Sequence, residues 1–172
     1  HYNLISKSTP SGTWHYQYDA NNRLVQEAHA DGGIVQYILN ARGLAERVID
    51  VRGYHTLYTY NDNGQVLTRK GPFDPTGPEP TALVSYSYDS WGNLLSTTDE
   101  NGNTASWAYD SEDRVVSSSD AAGNSTAYGY SGLGKLVYQR NPDGGEQRWE
   151  YDSRGFMTKY TGPLGDVTNY FC

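Results

Sequence analysis

The residues closest to a chemical signature are Gly129-x-x-x-x-Gly134-Lys135. A phosphate-cradling loop has that spacing, then needs Ser or Thr to hold Mg²⁺ and a helix to follow. Here Leu136 follows, with no helical periodicity after it, so no nucleotide site is read. Asp and Asn recur along the chain and raise the question of Ca²⁺. Calcium solenoids converge carboxylates from a roughly nine-residue Gly-Asp repeat, a spacing that does not occur here. His1, His15, His29 and His55 share no metal-ligand spacing, and Ser117-Ser118-Ser119 lies in no G-x-S-x-G elbow. The single Cys, Cys172, excludes an internal disulfide framework and a Cys-based metal site. It could be a reactive thiol, a dimer link or the occupant of a repeat position. Asn124-Ser125-Thr126 spells an N-glycosylation sequon, usable only in a secreted eukaryotic protein. No carboxylate pair can be singled out for acid–base work, because Asp recurs with a structural period. The sequence predicts no enzyme, no catalytic residue, no cofactor and no metal.

Composition poses a different problem. Leu, Ile, Val and Phe together make only about 17% of the 172 residues, and the net charge is −7. That combination usually marks disorder. Aromatics, however, are 13% of the chain, with 16 Tyr and 4 Trp, and disordered chains are poor in them. An acidic chain of pI 4.9 is a poor nucleic-acid binder. No apolar run approaches the roughly 20 residues of a membrane span. The chain starts at His1, its only Met is Met157, and it reads as a piece of something longer.

The tyrosines are periodic. An aromatic or Leu followed by Asp, Asn or Ser falls at Tyr18, Leu39, Tyr60, Tyr88, Tyr109, Tyr130 and Tyr151, every 21 residues except for one step of 28. One further step lands on Cys172. Two residues earlier stands a second aromatic each time: Tyr16, Tyr37, Tyr58, Tyr86, Trp107, Tyr128, Trp149 and finally Tyr170. An i, i+2 pair of rings points to one face of a β-strand.

Turn chemistry follows each pair. The segments start at Asp19, Asn40, Asn61, Asp89, Asp110, Ser131 and Asp152 and close three residues later on Asn22, Gly43, Gly64, Gly92, Asp113, Gly134 and Gly155. A type I turn prefers Asp, Asn or Ser first, and a hairpin built on it closes on a left-handed residue, which Gly, Asn and Asp accept. An apolar residue then opens the next strand: Leu24, Ala45, Val66, Leu94, Val115, Leu136 and Met157. A second turn comes about ten residues after the first, as at Asp50-x-x-Gly53 and Asp120-x-x-Gly123.

Each unit is thus two short strands and two tight turns, with repeats near 16–36, 37–57, 58–85, 86–106, 107–127, 128–148 and 149–169 and partial repeats at both ends. The long repeat carries its extra residues in a Pro-rich exposed loop, 71–81, and every proline is expected in a turn or loop. The fold class predicted is all-β: a repetitive antiparallel hairpin meander. Its roughly fifteen strands would span about 70 Å, so the sheet is expected to curl into part of a shell.

The unit aromatic-x-Tyr-Asp-x-x-Gly-Arg-Leu resembles the YD repeat of the Rhs (rearrangement hotspot) family. The clearest matches are Tyr16-x-Tyr18-Asp19 with Arg23-Leu24, Tyr86-x-Tyr88-Asp89 with Gly92-Asn93-Leu94, and Trp149-x-Tyr151-Asp152 with Arg154-Gly155. The resemblance covers essentially the whole chain and implies a spiral β-shell. In bacterial members such a shell encloses a C-terminal toxin or effector; in animal teneurins a similar shell serves adhesion. It also implies export, often by type VI secretion of polymorphic toxins. Leu39 departs from the pattern. Asp74-Pro75-Thr76-Gly77 lies in the loop and lacks the motif around the family's self-cleavage site, Gly162-Pro163-Leu164-Gly165 lacks its leading Asp, and that activity is not carried over.

Two functions follow. One is structural: a wall, paired with further YD repeats of the same parent chain, around an enclosed cargo. The other is a carbohydrate- or cell-surface-binding module that uses its Tyr/Trp ladder. The scarcity of aliphatics favours rings that pack as the sheet's own face, where cross-strand aromatic pairs contribute about 0.2–1 kcal/mol each. Far-UV circular dichroism should show β-sheet and the near-UV spectrum immobilised tyrosines; a random-coil spectrum would return the chain to the disordered class.

Overall fold

The computed structural model describes residues 3–171; His1 and Cys172 lie outside the described residues. The chain divides into two units, His1–Tyr86 and Ser87–Cys172. The first contains β1 (Ser6–Thr9), β2 (Gly12–Tyr18), β3 (Leu24–Ala28), β4 (Ile34–Leu39), β5 (Ala45–Ile49), β6 (His55–Tyr60), β7 (Val66–Phe73) and the start of β8 (Val84–Tyr88). The second contains the end of β8 and then β9 (Leu94–Thr98), β10 (Thr104–Tyr109), β11 (Val115–Ser119), β12 (Ser125–Tyr130), β13 (Leu136–Arg140), β14 (Glu146–Tyr151), β15 (Met157–Thr161) and β16 (Val167–Asn169). Strands follow chain order, each hydrogen-bonded to the next, and no helix occurs among the described residues. The all-β hairpin meander is what the period predicts.

The 21-residue period sets the strand limits. Even strands β2 to β14 end on Tyr18, Leu39, Tyr60, Tyr88, Tyr109, Tyr130 and Tyr151; odd strands β3 to β15 begin on Leu24, Ala45, Val66, Leu94, Val115, Leu136 and Met157. Between them the turn is held by its first residue. At Asp110 the backbone N–H donates to Arg114 O at 3.0 Å and the carbonyl accepts from Asp113 N at 3.2 Å. Its Oδ1 accepts from the N–H groups of Glu112 and Arg114, at 2.9 and 3.1 Å, and its Oδ2 accepts from Arg114 Nε at 2.8 Å. An aspartate at the first turn position thus satisfies backbone donors that the ladder does not reach. The turn closes in the left-handed region, and where the residue is not Gly, Asn22 and Asp113 take φ values of 61° and 58°. Second turns use the same device. Asp120 accepts from the Asn124 N–H and Nδ2, both at 2.9 Å.

Six of the first turns are followed by a β-bulge. Ala108 pairs with Ser117 but Tyr109 with Val115, so Val116 is left over. The same register shift separates Gln17 from Tyr18, Ile38 from Leu39, Thr59 from Tyr60, Gly129 from Tyr130 and Glu150 from Tyr151. One proline departs from expectation. Pro72 lies inside β7, after a cis Gly71–Pro72 bond, and Gly71 to Phe73 are strand rather than loop. The ladder skips from the Leu57–Lys70 pair to the His55–Phe73 pair, and this irregularity tolerates a residue that cannot donate. The exposed loop therefore begins at Asp74.

Neither unit has a conventional core. Among apolar residues described, only Val84 is buried, at 8% exposure. Register instead sorts side chains onto two faces. One carries the rings: Tyr16, Tyr18, Tyr37, Tyr58, Tyr60, Tyr86, Tyr88, Trp107, Tyr109, Tyr128, Tyr130, Trp149 and Tyr151 are all half-buried.

The turn carboxylates set the acid limit of stability. Hydrogen bonds from the Arg23, Arg52 and Arg114 side chains hold Asp19, Asp50 and Asp110 below the usual carboxylate range; the Asn103 and Asn124 side chains do the same for Asp99 and Asp120. A depressed folded pKa stabilises the fold above the unfolded value, near 3.9, and that contribution is lost as pH falls through the folded pKa. Urea midpoints should be level above about pH 5 and fall below about pH 4. Replacing Asp19 and Asp110 with Asn keeps an Oδ1 acceptor, as the natural Asn40 and Asn61 do, and should flatten the acid slope; an unchanged slope would refute the assignment.

Candidate functional site

The first residues of β5, β11 and β13 stand beside a bulge, where the ladder is disrupted and a carbonyl needs another donor. The tyrosine of the following repeat supplies it. Tyr60 Oη donates to Ala45 O at 2.7 Å, Tyr109 Oη to Leu94 O at 3.0 Å, Tyr130 Oη to Val115 O at 2.9 Å and Tyr151 Oη to Leu136 O at 3.0 Å. All four span 15 residues. Tyr18 does the same for the partial repeat before it, donating to Leu4 O at 2.9 Å. The tyrosine therefore clamps its own repeat to the previous one. Leu39 has no hydroxyl, so no such bond reaches Leu24.

Cations cover two of the clamped rings. The Arg114 guanidinium lies 4.8 Å from the centre of the Tyr130 ring and Lys135 Nζ 5.9 Å from that of Tyr151. Both cations stand five residues after a repeat tyrosine and reach the next one. Turn-to-turn bonds run along the same rim. Arg42 donates to Asn61 O and Asp62 O at 2.8 and 2.7 Å, and Asn93 Nδ2 to Asp113 Oδ1 at 2.7 Å.

The second aromatic of each repeat packs on the ring face with varied partners. Tyr58 stacks on Tyr60 with centroids 6.5 Å apart, and Trp149 meets Tyr160 at 5.7 Å. Tyr16 N–H donates to Ile5 O. Tyr37 Oη donates to Glu27 Oε1 at 3.0 Å; burial, that bond and the Glu27 charge push its pKa up to about 12. Trp107 stands opposite Ser118, whose Oγ lies 3.4 Å from Tyr128 Oη. Tyr86 and Tyr88 are in β8, and Asp89 and Asp152 anchor turns through Oδ1. Gly43, Gly64, Gly92, Gly134 and Gly155 close turns at positive φ. Of the near phosphate loop, Gly129 lies in β12, where an added Cβ would stand 3.2 Å from that of Tyr138, and Gly134 closes a turn. No three His, Cys, Asp or Glu side chains converge among the described residues.

Sequence reasoning did not identify the carbonyl acceptors or the cations over the rings. The signal for the latter was present, as a basic residue just before the apolar opener at Arg23, Arg114 and Lys135.

The family model described as Teneurin YD-shell matches residues 2–135 and 44–171. Among solved structures, the chain is similar to the TcdB2-TccC3 complex without its hypervariable C-terminal region, with 19% identity, a TM-score of 0.51, 92% of this chain covered and 11% of that one. It is also similar to a mutant Tc holotoxin pore from Photorhabdus luminescens, with 14% identity, a TM-score of 0.51, 89% of this chain covered and 12% of that one. The chain thus spans about an eighth of the length of these structural relatives. No curated protein sequence matches it.

The clamp makes a measurable prediction. Tyr151→Phe keeps the ring and removes the donor to Leu136 O, and should cost about 1 kcal/mol in urea unfolding. Leu39→Tyr places a hydroxyl at the same 15-residue offset from Leu24 and should exceed Leu39→Phe in stability by about the same amount. Equal stability of the two position-39 variants would mean that the offset does not place the hydroxyl on that carbonyl.

Proposed function

Because the chain belongs to the YD-shell family, we propose that it is a wall segment of an Rhs-type β-cocoon that encloses a toxin or effector cargo for delivery. The observation that carries this reading is the repeat-to-repeat clamp in a sheet without a core. Each hairpin is completed by its neighbours, and among the described residues only one apolar side chain, Val84, is buried. Such a unit encloses rather than catalyses, and its partners are further YD repeats of the same parent chain. The structural relatives, a Tc holotoxin pore and a TcdB2-TccC3 complex, support a toxin or effector as cargo and export of the parent protein, by type VI secretion or another route.

A ladder that binds carbohydrate has less support. The repeat tyrosines spend their hydroxyls on backbone carbonyls, and their rings carry cations of the same chain.

The test is limited proteolysis of the intact parent protein. Its C-terminal cargo segment should resist cleavage until denaturant opens the wall, then be cleaved at once. A segment equally accessible before and after would sink the enclosure reading.

A further inference from the structure

The turn at 89–92 carries an indole where an earlier turn carries a guanidinium. Trp91 is the third residue of its turn, as Arg42 is of the turn at 40–43. The Trp91 N–H donates to Asp89 Oδ1 at 2.9 Å, which fixes the backbone, yet the residue is 81% exposed. Beside it lies an open hollow of about 140 Å³, lined by Trp91, Asp110, Ser111 and Asp113. All four residues belong to the second unit.

The first unit shows what fills the same place. There the Arg42 guanidinium donates to Asn61 O at 2.8 Å and to Asp62 O at 2.7 Å, both in the next turn. Asn61 and Asp62 open their turn as Asp110 and Ser111 open theirs. Arg114 makes a related contact, donating to Ser131 O at 3.3 Å. Rings of this chain also take cations. The guanidinium carbon lies 4.6 Å from the ring centre for Arg52 on Tyr54, 5.0 Å for Arg148 on Tyr138 and 5.2 Å for Arg154 on Phe156. Indole attracts a cation more strongly than phenol or phenyl does, yet among the described residues no cation covers Trp91. The surrounding charge suits one. Segment 110–114 sets Asp110, Glu112 and Asp113 against Arg114 alone. Arg114 is shared by Asp110 and Glu112, at 2.7 and 3.1 Å, whereas Asp113 holds the neutral Asn93 amide at 2.7 Å.

We propose that the hollow beside Trp91 binds one arginine side chain of a partner protein. Its guanidinium donates to the carbonyls of Asp110 and Ser111, as Arg42 does to those of Asn61 and Asp62, while its plane lies on the indole and its charge faces Asp113. Arginine fits where lysine does not, because a planar fork reaches two acceptors at once and stacks on a ring, whereas an ammonium is a point charge. The hollow admits the head of a single side chain rather than a length of peptide. The inference goes beyond the wall reading: it places a docking point on the rim and holds whatever the wall encloses.

The probe is an acetylated Gly-Arg-Gly amide, titrated into the isotope-labelled full chain and followed by NMR at the indole N–H signals of its 4 Trp. The Trp91 signal is the one lost in Trp91→Phe. It should move saturably, while those of Trp14, Trp107 and Trp149 stay in place. The citrulline peptide, which keeps the shape and loses the charge, should leave it unmoved, and the lysine peptide should bind several-fold more weakly. Asp113→Gly installs the residue that closes turns at Gly43, Gly64, Gly92, Gly134 and Gly155, and should weaken binding several-fold with the far-UV spectrum unchanged. Trp91→Arg supplies the guanidinium from the chain itself, as Arg42 does, and should have a higher urea midpoint than Trp91→Gln. Equal shifts from the arginine and citrulline peptides, full affinity in Asp113→Gly, or equal midpoints of the two position-91 variants would overturn the proposal.

Discussion

The structure depends on one hydrogen bond made again and again: a tyrosine hydroxyl donated to a backbone carbonyl one repeat earlier. A β-bulge interrupts the ladder at the start of six odd strands, and a disrupted ladder leaves main-chain groups that must find partners. The phenol answers that need at Ala45, Leu94, Val115 and Leu136. Tyrosine suits the position better than phenylalanine because the ring contributes area to the face while its polar end reaches the backbone. The aspartate beside it holds the turn that generates the bulge. The two residues that name the repeat therefore do linked work: one shapes the backbone and the other satisfies what that shape leaves open.

This arrangement accounts for a composition that looks disordered. A sheet with almost no buried aliphatic side chain cannot rely on a packed interior, and its apolar material is laid out as half-buried rings on one face. Stability then comes from nearest neighbours, as in other repeat proteins. Turn-to-turn contacts such as Arg42 to the carbonyls of Asn61 and Asp62, or Asn93 to Asp113, add a second line of connection along the rim.

Much of the fold was legible because two independent signals coincide. The i, i+2 rings marked even strands, and the Asp-x-x-Gly segments marked where they end, so strand limits followed from the period alone. Features that join repeats were harder to read. Tyr130 and Val115 look unrelated in sequence, and their link becomes visible only once the bulge fixes register. Pro72 was assigned to a loop because a proline normally ends pairing; the irregularity between the Leu57–Lys70 and His55–Phe73 pairs that admits it has no local sequence mark. Leu39 was recognised as a departure, but its meaning, a missing donor, required knowing what the tyrosines bond. The hollow at Trp91 was invisible for a related reason. Trp91 and Ser111 lie in successive repeats and come to line one hollow only through pairing.

The clamp also has a direction. The donor always belongs to the later repeat and the acceptor to the earlier one. A chain emerging from the ribosome N-terminus first lays down each acceptor before its donor exists, so a repeat's last backbone requirement is met when the next repeat arrives. Growth of the sheet is therefore templated from one end. At every length the unfinished edge is the newest hairpin, and the repeats behind it, apart from the one that would have been closed at Leu39, already have their donors.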